Sequence, residues 1–212
     1  MRHRNVKDAY QRLELHPIVI QDPIEYKGSW NKRFNNENPI YIEIGMGKGQ
    51  FIIEHAIRNP NINFIGFEKF SAVLAKALEK VDQHQGLNNL LVIREDADRI
   101  TKFFEEGELD RLYLNFSDPW PKERHEKRRL TYISFLEKYS FILKKESSII
   151  FKTDNSKLFE FSVAQMKKFG YDVKEVIYDL QSSHYAQDNI MTEYETKFVS
   201  QGLKIYLTHA IV

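Results

Sequence analysis

The stretch from Pro39 to Ile57 narrows the possible folds more than any other. Pro39-Ile40-Tyr41-Ile42-Glu43-Ile44 has the composition of a short buried strand, Gly45-Met46-Gly47-Lys48-Gly49 follows at once, and Gln50 to Ile57 then spaces its apolar residues as a helix does. Strand, glycine loop and helix in that order open a parallel α/β sheet. Glycines let the backbone turn sharply and approach a ligand closely, while the start of the helix offers free N–H groups. The spacing is Gly-x-Gly-x-Gly. A dinucleotide fingerprint needs glycine or alanine where Gln50 stands, and a phosphate loop needs Ser or Thr after Lys48, where Gly49 stands. Glu43, two positions before the first glycine, suits a cationic or hydroxyl-bearing ligand better than a phosphate.

The alternation continues. Asn63 to Glu68 reads as a second strand, ending in an acid about 20 residues past the glycine loop, where Rossmann-like folds bind ribose hydroxyls. Ser71 to Val81 has helical spacing, and Leu90 to Ile93 is a third strand leading into Glu95-Asp96-Ala97-Asp98. Asp96 either caps a helix expected from Asp98 to Phe104 or lines the adenine end of a nucleoside pocket, and the two roles are compatible. Leu109 to Leu114 makes a fourth strand, Thr131 to Leu143 a helix, Ser148 to Asn155 a fifth strand, and Phe159 to Phe169 a helix stopped by Gly170. Tyr171 to Leu180 and Leu203 to Val212 read as terminal strands joined by a polar loop through Asn189 to Glu195. These elements predict an α/β fold with a mostly parallel sheet, helices on both faces and a C-terminal antiparallel strand pair. The expected organisation is a basic, partly irregular arm over 1–38, with Arg2, Arg4, Lys7 and Arg12 against Asp8 and Glu14, and one domain over 39–212. Acids follow each of five strands, at Glu43, Glu68, Asp96, Asp118 and Asp154, which predicts a carboxylate-lined pocket for a positively charged, hydroxyl-rich ligand.

Asn115-Phe116-Ser117-Asp118-Pro119-Trp120-Pro121-Lys122 sits where the fourth strand reaches its carboxyl end, the place where open α/β sheets bind ligands. Pro119 and Pro121 predict that Asp118 and Trp120 are held extended in a stiff turn. An ordinary strand-to-helix turn, with Asp118 as cap and Trp120 as core plug, reads equally well from these residues alone. Lys122 to Arg129 holds five Lys or Arg against two Glu, a local excess of +3. Such a run supplies phosphate contacts, or forms a solvated, salt-bridged helix start. Net charge is only +1, so any nucleic-acid surface must be a local patch.

Four stretches, Tyr41 to Phe51, Asn115 to Arg129, Phe151-Lys152-Thr153-Asp154-Asn155 and Asn189 to Glu195, together resemble the bacterial tRNA (guanine-N7-)-methyltransferases. The resemblance extends over nearly the whole chain. It implies a Rossmann-like class I methyltransferase fold with a seven-stranded sheet, and S-adenosyl-L-methionine as cofactor. The reaction it implies is methylation of N7 of the variable-loop guanine, conventional tRNA nucleotide 46. Carried onto these positions, it places Glu43, Gly45, Gly47, Glu68, Asp96, Ala97 and Asp118 around the cofactor. Lys122, Asp154, Thr192, Glu193, Tyr194 and Glu195 would hold substrate, and Arg124, His125, Glu126, Lys127, Arg128 and Arg129 would contact RNA.

Guanine N7 has an in-plane lone pair and no proton, so alignment and electrostatics should carry catalysis without a base. Asp118 is the candidate for stabilising the positive charge left on the purine. Asp154 with Glu193 or Glu195 are candidates for reading guanine N1–H and the exocyclic amine, and Trp120 or Tyr194 for stacking on the base.

A small-molecule methyltransferase would share the first half of the chain and would not need the basic run. The absence of cysteine excludes thiolate-type C5 methylation, thiolate metal sites and disulfides. A nicotinamide dehydrogenase is disfavoured by Gln50, and a non-catalytic RNA-binding module by the acid-lined glycine loop. No apolar run approaches the length of a membrane span and no signal peptide is evident, so a soluble, cytoplasmic protein is expected, monomer or homodimer, with no obligatory protein partner and no metal. His3, His16, His55, His84, His184 and His209 are scattered and carry no assignment.

Overall fold

The computed structural model describes residues 11–84 and 86–212. The basic positions Arg2, Arg4 and Lys7 of the expected arm lie outside them. The chain divides into two compact units, one reaching Glu105 and the other running from Glu106 to Val212.

In the first unit β1 (Val19–Ile20), β4 (Leu90–Ile93), β3 (Asn63–Phe67) and β2 (Ile40–Ile44) lie side by side in that order, all parallel. β3 and β4 are buried at every residue. Parallel strands covered on both faces need such continuous apolar runs. The register sets Ile42 beside Ile65 and Ile65 beside Leu91, so the carboxyl ends of β2, β3 and β4 fall together. Helices α2 (Gln50–Arg58) and α3 (Ser71–Val81) supply Ile52, Ile53, Ala56, Leu74, Ala77 and Leu78 to the core.

The segment expected as an arm is built into this unit from residue 11 onward. Residues 11–15 are helical, Leu13 is buried, and α1 (Trp30–Phe34) buries Trp30 completely, its Nε1 donating to the Phe103 carbonyl at 2.9 Å. Arg12 and His16 both donate to Asp82 beyond α3, at 2.5 and 2.9 Å. The His16 hydrogen bond, ahead of that from Arg12, holds the Asp82 carboxyl below its usual range. β1 also raises the strand count among the described residues to eight where seven were expected, because two residues between Pro17 and Pro23 are too few to read as a strand.

In the second unit the order is β5 (Leu109–Asn115), β6 (Leu143–Thr153), β8 (Tyr206–Ile211) and β7 (Asp172–Ile177). β5 and β6 are parallel and the last two pairings are antiparallel, as the terminal strand pair predicts. Asn115 stands beside Lys152, so the Asp118 turn and the β6 end that carries Asp154 share one side. Helices α4 (Ile133–Ile142) and α5 (Ser156–Phe169) follow, the second capped by the Asn155 side chain on the Leu158 N–H and ended by Gly170 at φ 103°. The stretch after Asn189 is more than a loop. Helix α6 (Glu193–Ser200) starts there, capped by Thr192.

Candidate active site

The glycine loop forms where β2 ends. The N–H groups of Gly45 and Met46 both donate to the Phe67 carbonyl at 2.9 Å, which folds the loop back over the end of β3. Gly45, Gly47 and Gly49 have φ values of 78°, 56° and 79°, a region side chains rarely adopt. The three glycines then part in role. A Cβ on Gly49 would meet Met46, Ile53 and Ala77 within 3.2 Å, so that glycine serves packing, whereas Gly45 and Gly47 face open space.

Glu68, 7% exposed at the end of β3, fastens this arrangement. One carboxylate oxygen accepts the Gly47 N–H at 3.1 Å and the other the Phe70 N–H at 2.8 Å. Glu43 is 2% exposed just before the loop. Asp96 makes the expected cap, with Oδ1 accepting the Asp98 N–H at 3.0 Å and Oδ2 meeting Lys69 at 2.6 Å, and a capping role leaves it compatible with lining a pocket. Ala97 is buried beside it at the start of the 3-10 turn Ala97–Lys102. The first unit thus brings together Glu43, Gly45, Gly47, Glu68, Asp96 and Ala97 at the carboxyl ends of its strands.

The second unit carries the Asp118 turn. Phe116 and Trp120 both have positive φ, 51° and 42°. Backbone of this kind costs on the order of 1–3 kcal/mol per residue and persists only where neighbours enforce it. Trp120 is therefore not extended, contrary to the expectation from Pro121. The enforcing neighbour is Arg129, whose Nε donates to the Pro119 carbonyl and Nη2 to the Trp120 carbonyl, both at 3.1 Å. Asp118 itself is exposed and forms no ion pair among the described residues. The Ser117 Oγ beside it is buried without a hydrogen-bond partner among the described residues.

The basic run is a 3-10 turn, Glu123–Arg128, with no buried residue. Its members separate by what they touch. Lys122, Arg124 and Lys127 are exposed. Arg128 lies 4.9 Å over the Trp120 ring and His125 meets the same ring edge-on at 5.7 Å. Arg129 sits over Phe161 at 4.3 Å with its side chain 13% exposed, Glu126 being 3.8 Å away. Arg129, expected to contact RNA, has its guanidinium on the carbonyls of the turn. Trp120, a candidate for stacking, has its ring engaged by Arg128 and His125. Tyr194 is 62% exposed.

At the end of β6 the Lys152 ammonium is 2% exposed and has three acceptors, Glu195 at 2.7 Å and Asn189 Oδ1 and the Ile190 carbonyl at 3.0 Å each. The other Glu195 oxygen accepts from Asn189 Nδ2. Glu195 is completely buried, and the Thr192 hydroxyl accepts its N–H at 3.0 Å. Thr192 and Glu195, both expected to hold substrate, are hydrogen-bonded within the chain, Thr192 half-buried and Glu195 fully buried. Asp154 and Tyr194 remain exposed and Glu193 half-buried around this anchor. Sequence reasoning misses Lys152 as a site residue, since a lysine within an apolar strand carries no local signal of a buried partner.

Comparison with known proteins agrees with this geometry. A family model described as "Putative methyltransferase" matches residues 37–208. The tRNA (guanine-N(7)-)-methyltransferase of Lachnoclostridium phytofermentans is 50% identical over 206 residues, covering 97% of this chain and 96% of that protein. The Bacillus subtilis protein of the same name is also 50% identical over 206 residues, covering 97% and 95%. Among solved structures, an antibiotic related methyltransferase superposes with TM-score 0.63 at 19% identity, covering 86% of this chain and 92% of that one. A SAM dependent methyltransferase from Aquifex aeolicus does so with TM-score 0.57 at 16% identity, covering 95% and 93%. These two likenesses show the fold, a Rossmann-like methyltransferase fold. By its identity over nearly its whole length to curated members, the chain belongs to the tRNA (guanine-N7-)-methyltransferase family.

Proposed function

We propose that the protein transfers the methyl group of S-adenosyl-L-methionine to N7 of the variable-loop guanine of tRNA, giving 7-methylguanosine. The observation that carries this reading is the Asp118 carboxylate, exposed and without an ion pair among the described residues, on a turn whose strained backbone is enforced by its own chain. Strain of this kind is kept at sites where geometry serves chemistry.

The residues of the first unit fit the cofactor. Two glycines with positive φ face open space, so a ligand can approach the loop backbone, and buried carboxylates at the ends of β2 and β3 suit a sulfonium, an ammonium and a ribose diol. Bound there, S-adenosyl-L-methionine supplies an electrophilic methyl group. Glu68 holds the loop in shape while its remaining lone pairs accept ribose hydroxyls, and Asp96 with Ala97 borders the base. Replacing Glu68 by alanine frees two amides, and hydrogen bonds to a charged group contribute about 1.5–3 kcal/mol each. Cofactor affinity in a calorimetric titration is therefore expected to fall by at least roughly 10-fold.

No base is required at N7, so the protein's own residues orient and stabilise. Asp118 lies against the purine edge where positive charge develops. Asp154 and Glu193 accept from guanine N1–H and the exocyclic amine, with Glu195 acting through their placement, and Tyr194 offers its exposed ring to the base. Arg124 and Lys127 meet phosphates, joined by Lys122 near the target nucleotide. The protein works in the cytoplasm as a monomer or homodimer, without an obligatory protein partner. Among the described residues no helix is long and apolar enough to cross a membrane.

Transfer of labelled methyl to unmodified tRNA, followed by mass spectrometry of the digested nucleosides, tests the reading. Label is expected in 7-methylguanosine and absent with a transcript whose variable-loop guanine is replaced by adenine. Cofactor binding without transfer to RNA would overturn it in favour of a small-molecule substrate.

A further inference from the structure

We infer that Arg129 is a positioning residue that clamps the Pro119–Trp120 turn and thereby aims Asp118, and that it is not a phosphate contact; this rests on the reading above. Five residues of the run from Lys122 to Arg129 are cationic, yet they do not share one environment. Arg129 faces inward. Its guanidinium spans two successive carbonyls, Pro119 and Trp120, at 3.1 Å each, lies 4.3 Å over the Phe161 ring of α5, and has Glu126 3.8 Å away. Its side chain is 13% exposed, which leaves little of the group for an incoming phosphate.

The carbonyls it holds belong to the residues directly after Asp118. Trp120 has φ 42° and precedes a proline, a combination the backbone does not favour unaided. Neither Pro119 nor Pro121 has an N–H, so this segment is short of main-chain donors that could satisfy the turn locally. A planar fork of N–H donors reaches both carbonyls at once, and lysine, a single point donor on a flexible stem, does not. On the outer side Arg128 covers the Trp120 ring at 4.9 Å, so the two arginines hold backbone and side chain of the same residue.

Arg129→Lys separates clamp from phosphate contact, because lysine keeps the charge and loses the fork. At saturating tRNA, kcat is expected to fall by about 10- to 100-fold, as a misaligned catalytic group does. KM for tRNA and its dependence on salt should stay at the wild-type values. A doubly substituted Arg124→Gln, Lys127→Gln protein is the comparator, expected to raise KM and to flatten the salt slope by about one for each phosphate that is no longer neutralised. The chain has two tryptophans, of which Trp30 is fully buried, so a change in acrylamide quenching reports on Trp120 and is expected in Arg129→Lys. Retained kcat would overturn the clamp, and so would a raised KM with a flattened salt slope. Loss of cofactor affinity together with the quenching change would also overturn it, since Arg129 would then support the fold as a whole. Should the wild-type protein make no 7-methylguanosine, the proposed reaction falls, and the quenching comparison alone still decides whether Arg129 holds the turn.

Discussion

Replacing Lys152 by methionine is expected to destabilise the protein by about 3–5 kcal/mol, the cost of leaving one partner of a buried ion pair without the other. All three ammonium protons of Lys152 have acceptors, and its side chain and that of Glu195 are 2% and 0% exposed. Without the lysine, the Glu195 carboxylate keeps only the Asn189 amide and cannot reach water. At this chain length about 1 kcal/mol moves Tm by roughly 2–4 °C, so a thermal melt should drop by about 6–20 °C. Pairing the change with Glu195→Leu removes both charges together, and such double replacements are often neutral. The double variant should therefore melt close to wild type. It should nevertheless remain poor in methyl transfer, because the Lys152 bonds to Asn189 and Ile190 that tether the chain ahead of α6 are gone. A single variant that melts with the wild type would mean that the pair is solvated in solution.

This anchor also shows where reading the residues in order stops being sufficient. The glycine loop, the acids at strand ends and the terminal strand pair are legible because each depends on neighbours in sequence: strand period, glycine spacing and turn chemistry. Thr192-Glu193-Tyr194-Glu195 has the form of a capping box, and the Thr192 half is observed, its hydroxyl holding the Glu195 N–H. The Glu195 carboxylate instead reaches Lys152, 43 positions earlier in the chain. No local pattern specifies that distance. Arg129 is the same case, since its composition and place in a basic run suggest solvent, whereas carbonyls nine and ten residues back decide its orientation. The burial of Trp30 has no local signal either, because its partner, the Phe103 carbonyl, is 73 residues away. Long-range polar partners such as these are what a reading of neighbours in sequence cannot supply.

Asp118→Asn keeps the shape of the side chain and removes its charge, and it is expected to lower kcat by about 10²- to 10³-fold, the usual cost of losing one preorganised electrostatic contact to a developing charge. Methylation at N7 makes the purine cationic, so the carboxylate interacts more strongly with the transition state than with bound guanine. Such an interaction lowers kcat and kcat/KM equally when removed, and KM for tRNA should hardly move. The size of the effect also reports the environment. Two unit charges about 4 Å apart interact by about 1 kcal/mol in bulk water and about 4 kcal/mol at the effective dielectric of a protein surface. Asp118 is exposed in the free protein. A fall of only roughly 5-fold would mean that it stays hydrated with substrate bound, and a fall of about 10³-fold that the docked base excludes water from it. An unchanged kcat would remove Asp118 from catalysis. Comparing Asp118→Asn with Arg129→Lys then separates aiming from direct action: if Arg129 acts only by aiming Asp118, the double variant should be no slower than Asp118→Asn alone, whereas independent roles would multiply their losses.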